Sequence, residues 1–237
     1  MRPSKTAGIE VARLALAAEG ISWSSLILTA DQIVLFGSTA MGLEEKDSDI
    51  DLLCVGAGRR TKSRTLDIKW VSREKLFSDR WLCSELATHI AAFGVWLYGT
   101  DDWSEKARVT EETVVWKRRL LTGRSKMMAS SWRLLDKSYR LKHAVKLRRD
   151  LQRLEILKAR HPVVPTPLLD FLWRDVLDKR ARIGGIVEDD PIRDVLCPKT
   201  LACFEPELLQ NGLDRPLSEE YETLLQSAAL SFAGSAQ

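Results

Sequence analysis

The stretch that most constrains how this 237-residue chain can fold runs from Ile33 to Val55, where a Gly-Ser turn separates two apolar runs. Ile33-Val34-Leu35-Phe36 is short, apolar and rich in β-branched residues, which predicts a buried strand. Gly37-Ser38 ends it. A glycine lets the backbone come close to a ligand because it has no Cβ. Ser38 adds a hydroxyl, and the backbone N–H groups that open a following helical turn can receive an anion. Thr39-Ala40-Met41-Gly42 supplies that turn, Lys46-Asp47-Ser48 a polar one, and Asp49–Val55 a second strand.

The alternation in the second strand points to chemistry. Successive strand side chains face opposite sides, so Asp49 and Asp51 share one face while Ile50 and Leu52 share the other. Two carboxylates roughly 7 Å apart along a strand repel each other and resist burial. A divalent cation resolves that conflict, and Mg²⁺ takes carboxylates together with substrate phosphates. Two such ions can clamp both the attacking and the leaving oxygen of a phosphoryl displacement. Thr65–Val71 alternates again, with Leu66, Ile68 and Trp70 on one face and Asp67, Lys69 and Val71 on the other. If this strand pairs beside 49–55, Asp67 joins Asp49 and Asp51, and a third carboxylate near an attacking hydroxyl can serve as its general base. An Asp-x-Asp or a Gly-Ser pair is common by itself. The conjunction of strand, Gly-Ser turn, Asp-x-Asp strand and third acidic strand is far more specific.

These residues resemble the DNA polymerase beta-like nucleotidyltransferase superfamily, and more closely its minimal, antibiotic-modifying and toxin-like branch. The family pattern is an apolar residue, Gly, Ser, a spacer and Asp-x-Asp, here Phe36-Gly37-Ser38, residues 39–48 and Asp49-Ile50-Asp51. The resemblance covers roughly residues 30–105. It implies that Gly37 and Ser38 bind nucleotide phosphates, that Asp49 and Asp51 hold metal, and that Asp67 is the third carboxylate, often the activator of the acceptor hydroxyl. Two Mg²⁺ ions are implied, with Mn²⁺ as a substitute. The expected fold is α+β: a nucleotidyltransferase-type mixed sheet with flanking helices over residues 1–105, then a helical domain over 106–237, with the active site in the cleft between.

Helices are expected at 6–21 and 78–93 and through most of 105–160, and a further strand at 94–99. A Pro-rich connection follows at 161–167, then a helix at 168–183 stopped by Gly184-Gly185, and a late helix near 217–232. Asp101 and Asp102 read as loop carboxylates or a helix cap. The four cysteines, Cys54, Cys83, Cys197 and Cys203, form no close pair, which argues for reduced thiols and against zinc, with Cys54 and Cys83 packed inside. His89, His143 and His161 stand alone and read as packed or surface residues; the eight tryptophans read as core and packing residues. No apolar run approaches the roughly 20 residues that span a bilayer, and the N-terminus lacks a signal-type apolar core. A cytoplasmic protein with no membrane partner is therefore expected.

Charge is distributed unevenly. Residues 1–105 carry 12 basic and 15 acidic residues, 106–183 carry 21 and 8, and 184–237 carry 3 and 10. The basic segment reads in three ways: a solvated helix face, cations reaching the triphosphate, or attraction of a polyanionic acceptor such as a tRNA end. Arg59, Arg60, Lys62 and Arg64 form a basic loop between the second and third strands, either a solvated hairpin connection or a phosphate-attracting one. The expected reaction moves a nucleoside monophosphate from an NTP to an acceptor hydroxyl and releases pyrophosphate. RNA or a protein, in a toxin-like or regulatory setting, is the preferred acceptor. An antibiotic or other small molecule is the enzymatic alternative; polycationic aminoglycosides suit an acid-lined cleft, and the basic segment argues against them. A non-catalytic, antitoxin-like binding module is the alternative outside enzymes. The oligomeric state is not written in the sequence.

Overall fold

Five strands form one mixed sheet in the computed structural model, which describes residues 3–44, 48–131, 134 and 136–169. They are β1 (Ala30–Phe36), β2 (Ile50–Gly56), β3 (Thr61–Lys62), β4 (Leu66–Val71) and β5 (Val95–Tyr98), in the order β3-β4-β2-β1-β5. β2 and β4 run parallel, whereas β1–β2, β1–β5 and β3–β4 are antiparallel. β2, β4 and β5 lie within a residue or two of the predicted strands, and β1 begins three residues before Ile33. β3 was not foreseen: the basic loop folds back as a short strand against β4.

Both faces of the sheet are covered, which is why its central strands read as nearly continuous apolar runs. On one face Ile33, Leu35, Leu52, Cys54, Leu66 and Ile68 pack with Ala12 and Leu16 of α1 (Lys5–Ala18) and Leu26 of α2 (Trp23–Thr29). On the other, Val34, Phe36, Leu53, Val55 and Val71 pack with Leu76 of α3 (Arg73–Leu76), Trp81 and Leu82 of α4 (Asp79–Leu82), and Ala87 and Ile90 of α5 (Glu85–Phe93).

Serine caps explain where the helices depart from expectation. The helix predicted over 6–21 stops at Ala18, and Gly20 takes a left-handed φ of 71° just beyond it. A separate helix, α2, begins after Ser22, whose hydroxyl accepts from the Ser25 amide. The helix predicted over 78–93 is two, because Ser78 and Ser84 each accept an amide hydrogen bond three residues on and restart the turn. Ser72 does the same for α3.

Beyond the sheet, α6 (Glu111–Ser131) and α7 (Lys137–Lys158) supply the helical pattern predicted over 105–160. Residues 161–165 form the Pro-containing connection, and 166–169 are helical. The rest of the helix predicted to reach Ile183, the Gly184-Gly185 stop, the acidic tail and the late helix lie outside the described residues. The chain divides into two compact units, Met1–Lys117 with Arg153–Pro167, and Arg118–Gln152 with Leu168–Gln237. Both long helices therefore cross the division. Among the described residues, no single helix is long and apolar enough to cross a membrane.

Candidate active site

The site is built where β1 ends against the start of β2. Phe36 is the register partner of Asp51, so the Gly37 turn lies directly over that carboxylate. Gly37 has φ +78°, and a Cβ there would meet Asp51 Oδ2 at 2.7 Å. Only glycine suits both the backbone conformation and the close approach. Ser38 then opens a single 3₁₀ turn, Thr39–Met41, which Gly42 ends with a left-handed φ of 66°. Ser38 is half-buried, and its carbonyl accepts from the amides of Met41 and Leu43. Among the described residues, the buried Thr39 hydroxyl has no hydrogen-bond partner.

Asp49 lies one residue before β2 and is half-buried, as is Asp51 at the second position of the strand. Asp67 is buried on β4 and is the register partner of Asp51. The predicted lateral pairing thus brings Asp51 and Asp67 side by side on the face that also carries Phe36, Leu53 and Val71. The predicted polar turn at 46–48 falls largely outside the described residues.

The carboxylates are not alone. Lys69 Nζ lies 2.8 Å from Asp51 Oδ1 and 3.1 Å from Asp67 Oδ2, and it sits over the Phe36 ring at 4.7 Å from the centroid. Arg60 grips Asp67 with two nitrogens, at 3.2 and 2.8 Å, and Lys62 approaches it to 3.3 Å. Sequence reasoning put Lys69 on the same strand face as Asp67 but assigned it no part. Its spacing of two from Asp67 was the signal. That Arg60 and Lys62 would turn back onto Asp67 depended on β3, which the sequence pattern did not disclose.

This surround sets the proton affinities. Burial raises the Asp51 carboxyl above its ordinary value; Lys69 pulls it down, and the charges of Asp49 and Asp67 add to the rise. Burial acts in the same direction on Asp67, but Arg60, Lys69 and Lys62 outweigh it and hold that carboxyl well below the usual range. The two neighbours are therefore driven apart: Asp67 is firmly ionised, and Asp51 holds a proton more readily.

Among the described residues, no three carboxylate, imidazole or thiolate groups converge closely enough to cage an ion by themselves. The donor set nevertheless suits Mg²⁺, which is commonly held by one or two carboxylates with waters and substrate phosphates completing its shell. Lys69 Nζ already sets one positive charge against both Asp51 and Asp67.

Residues 22–114 match the family described as "Nucleotidyltransferase domain". This part of the chain is a nucleotidyltransferase domain. No curated protein matches the chain in sequence. Solved structures that resemble it include a spectinomycin adenyltransferase from Enterococcus faecialis with ATP and spectinomycin, at 14% identity over 85% of this chain and 98% of that one, with a TM-score of 0.44. A nucleotidyltransferase-like protein from Exiguobacterium sibiricum aligns at 14% identity over 93% and 89%, with a TM-score of 0.35. A toxin-antitoxin with AMP-PNP aligns at 21% identity over 46% and 94%, with a TM-score of 0.25.

Other titratable groups around the nucleotidyltransferase domain have structural roles. His89 packs edge-on to Phe36 and beside Phe93, and its Nδ1 lies 2.6 Å from the Val163 carbonyl. Burial lowers its proton affinity, which keeps the ring neutral. Cys54 is buried in the sheet, where desolvation pushes its thiol up to about 12, and Cys83 is a buried free thiol. Asp101 caps the turn at Ser104, whereas Asp102 pairs with Arg73 and accepts from Gln32.

Part of the basic segment is committed to ion pairs, each within one unit. Buried Lys117 pairs with Glu85 at 2.8 Å, Arg153 reaches the same carboxylate, and Arg160 pairs with Glu111 at 2.8 Å. Arg124 pairs with buried Asp150 in the other unit. Those four cations are engaged by carboxylates.

Proposed function

We propose that the domain catalyses Mg²⁺-dependent transfer of a nucleoside monophosphate from an NTP to an acceptor hydroxyl. The acceptor oxygen bonds to the α-phosphorus, the bond from that phosphorus to the α–β bridging oxygen breaks, and pyrophosphate leaves with the bonding pair. Asp49, Asp51 and Asp67 would hold the metal, which would supply Lewis acidity and charge neutralisation when bound. Gly37 and Ser38 would receive the nucleotide phosphates, and the bare Cα of Gly37 leaves them room beside Asp51.

The observation that carries this reading is the pairing of Asp51 with Asp67 across β2 and β4 beneath the Gly37 turn, within residues that match the nucleotidyltransferase domain family. In the arrangement described, Asp67 is a weak base, because a carboxyl held so low has little proton affinity. It would accept the acceptor's proton only after Arg60, Lys62 and Lys69 turn away from it.

RNA or a protein is the preferred acceptor, in a toxin-like or regulatory role within the cytoplasm. Incubation with each α-³²P-labelled NTP and Mg²⁺, in the presence of total RNA, protein lysate or neither, tests both transfer and acceptor. A labelled band that disappears in the Asp49→Asn/Asp51→Asn protein supports the reading and names the acceptor class. Label that persists in that double variant would refute it.

A further inference from the structure

Lys69 is placed as a divalent ion bridging Asp51 and Asp67 would be placed. Its ammonium is within 2.8 Å of one carboxylate and 3.1 Å of the other, and the Phe36 ring lies against it. We propose that Lys69 is a tethered counter-ion that keeps metal off these carboxylates until a nucleotide is present, so that the domain takes up metal together with the NTP and not before it. The proposal rests on the reading of Asp51 and Asp67 as metal ligands.

Charge balance argues for it. Arg60, Lys62 and Lys69 set three cationic side chains against Asp51 and Asp67. A free divalent ion therefore approaches carboxylates that already have cationic partners. It must also displace an ammonium from two carboxylates, one of them only 3% exposed. Moving Lys69 away takes one close cationic partner from that nearly buried carboxylate. An NTP changes both sides of the exchange. Its phosphates supply further oxygens for the metal and a new acceptor for every displaced cation. Arg60 and Lys62, whose side chains are 59% and 57% exposed, can turn outward at little cost, whereas Lys69 is the more enclosed at 26%. Lys69 thus controls the exchange, and the other two follow the phosphates.

The test is Mn²⁺ binding to the full chain by electron paramagnetic resonance, without nucleotide, for the wild type, Lys69→Met, Lys69→Arg and Asp51→Asn. Lys69→Met keeps the stem beneath Phe36 and removes the charge. It should bind Mn²⁺ about tenfold or more tightly than the wild type, since the competent form of the site is no longer masked. Lys69→Arg should bind as weakly as the wild type. Thermal melting gives a second readout: Mn²⁺ should raise the melting temperature of Lys69→Met more than that of the wild type. The wild type tests the idea without any variant. An Asp51-dependent Mn²⁺ site that fills at concentrations equimolar with protein, in the absence of nucleotide, overturns the proposal. Equal Mn²⁺ affinity in the wild type and Lys69→Met, lost in Asp51→Asn, also overturns it while leaving Asp51 a ligand. Mn²⁺ binding indifferent to Asp51→Asn, even with a non-hydrolysable NTP present, removes the ligand reading and the proposal together.

Discussion

Asp51 and Asp67 are register partners on the parallel strands β2 and β4, and one lysine ammonium touches both carboxylates. Adjacent strands lie only about 4.8 Å apart, so the pairing concentrates negative charge in a half-buried place. Burial raises one carboxyl and a cluster of cations lowers the other. Such divergence between neighbours is common at functional sites.

Asp51→Asn should abolish transfer without costing stability. A carboxyl whose folded value lies above its unfolded value destabilises the folded state at any pH above both. Removing that charge should leave the urea midpoint at pH 7 unchanged or higher. Loss of the metal ligand proposed at Asp51 should lower kcat by about 100-fold or more, the equivalent of several kcal/mol of transition-state stabilisation. Pyrophosphate release and urea melts on the same preparation check both halves.

Gly37→Ala should damage stability and activity together. The left-handed backbone alone costs a non-glycine residue about 1–2 kcal/mol. The added methyl would also meet Asp51 Oδ2 at 2.7 Å and push that carboxylate aside. A double variant with Asp51→Asn would not relieve the backbone part, so the urea midpoint should stay depressed in both proteins.

The ion pairs on Asp67 predict a particular acid dependence. Its folded value lies far below its unfolded one, so its contribution to stability is fully present above the ordinary carboxylate range. That contribution fades as pH falls below about 4, where the unfolded chain takes up a proton that the folded one refuses. The stability difference between wild type and Asp67→Asn should therefore be constant from pH 5 to 7 and shrink on further acidification. Urea melts over a pH series measure it; a difference that grows towards acid would contradict the assignment.

Trp103→Phe should destabilise the domain without touching the site. The Trp103 indole N–H donates to buried Gln32 Oε1 at 3.1 Å, and its ring packs against Trp81 and Trp96. Phenylalanine fills much of the space but leaves the Gln32 oxygen unpaired, a loss of about 1–3 kcal/mol. Chemical denaturation should show it, while the KM for NTP stays unchanged.

The amino-acid sequence by itself determined the strands, the Gly-Ser turn and the placing of Asp51 and Asp67 on strands. These depend on local quantities, a period of two and the breaking power of glycine, that are visible within a few residues. Helix boundaries were legible in principle through Ser22, Ser78 and Ser84, yet continuous apolar content concealed the breaks. Only the tertiary structure decided how charge is used. Lys69 lies between Asp51 and Asp67 because two strands distant in the chain pair in one register, and Arg60 reaches Asp67 because a short strand folds back. Lys117 and Arg153 are drawn to Glu85 from helices far along the chain. Periodicity records which face a side chain takes within its own element. The partner opposite that face is set by packing, and electrostatic partners fall off with distance in space, not along the sequence.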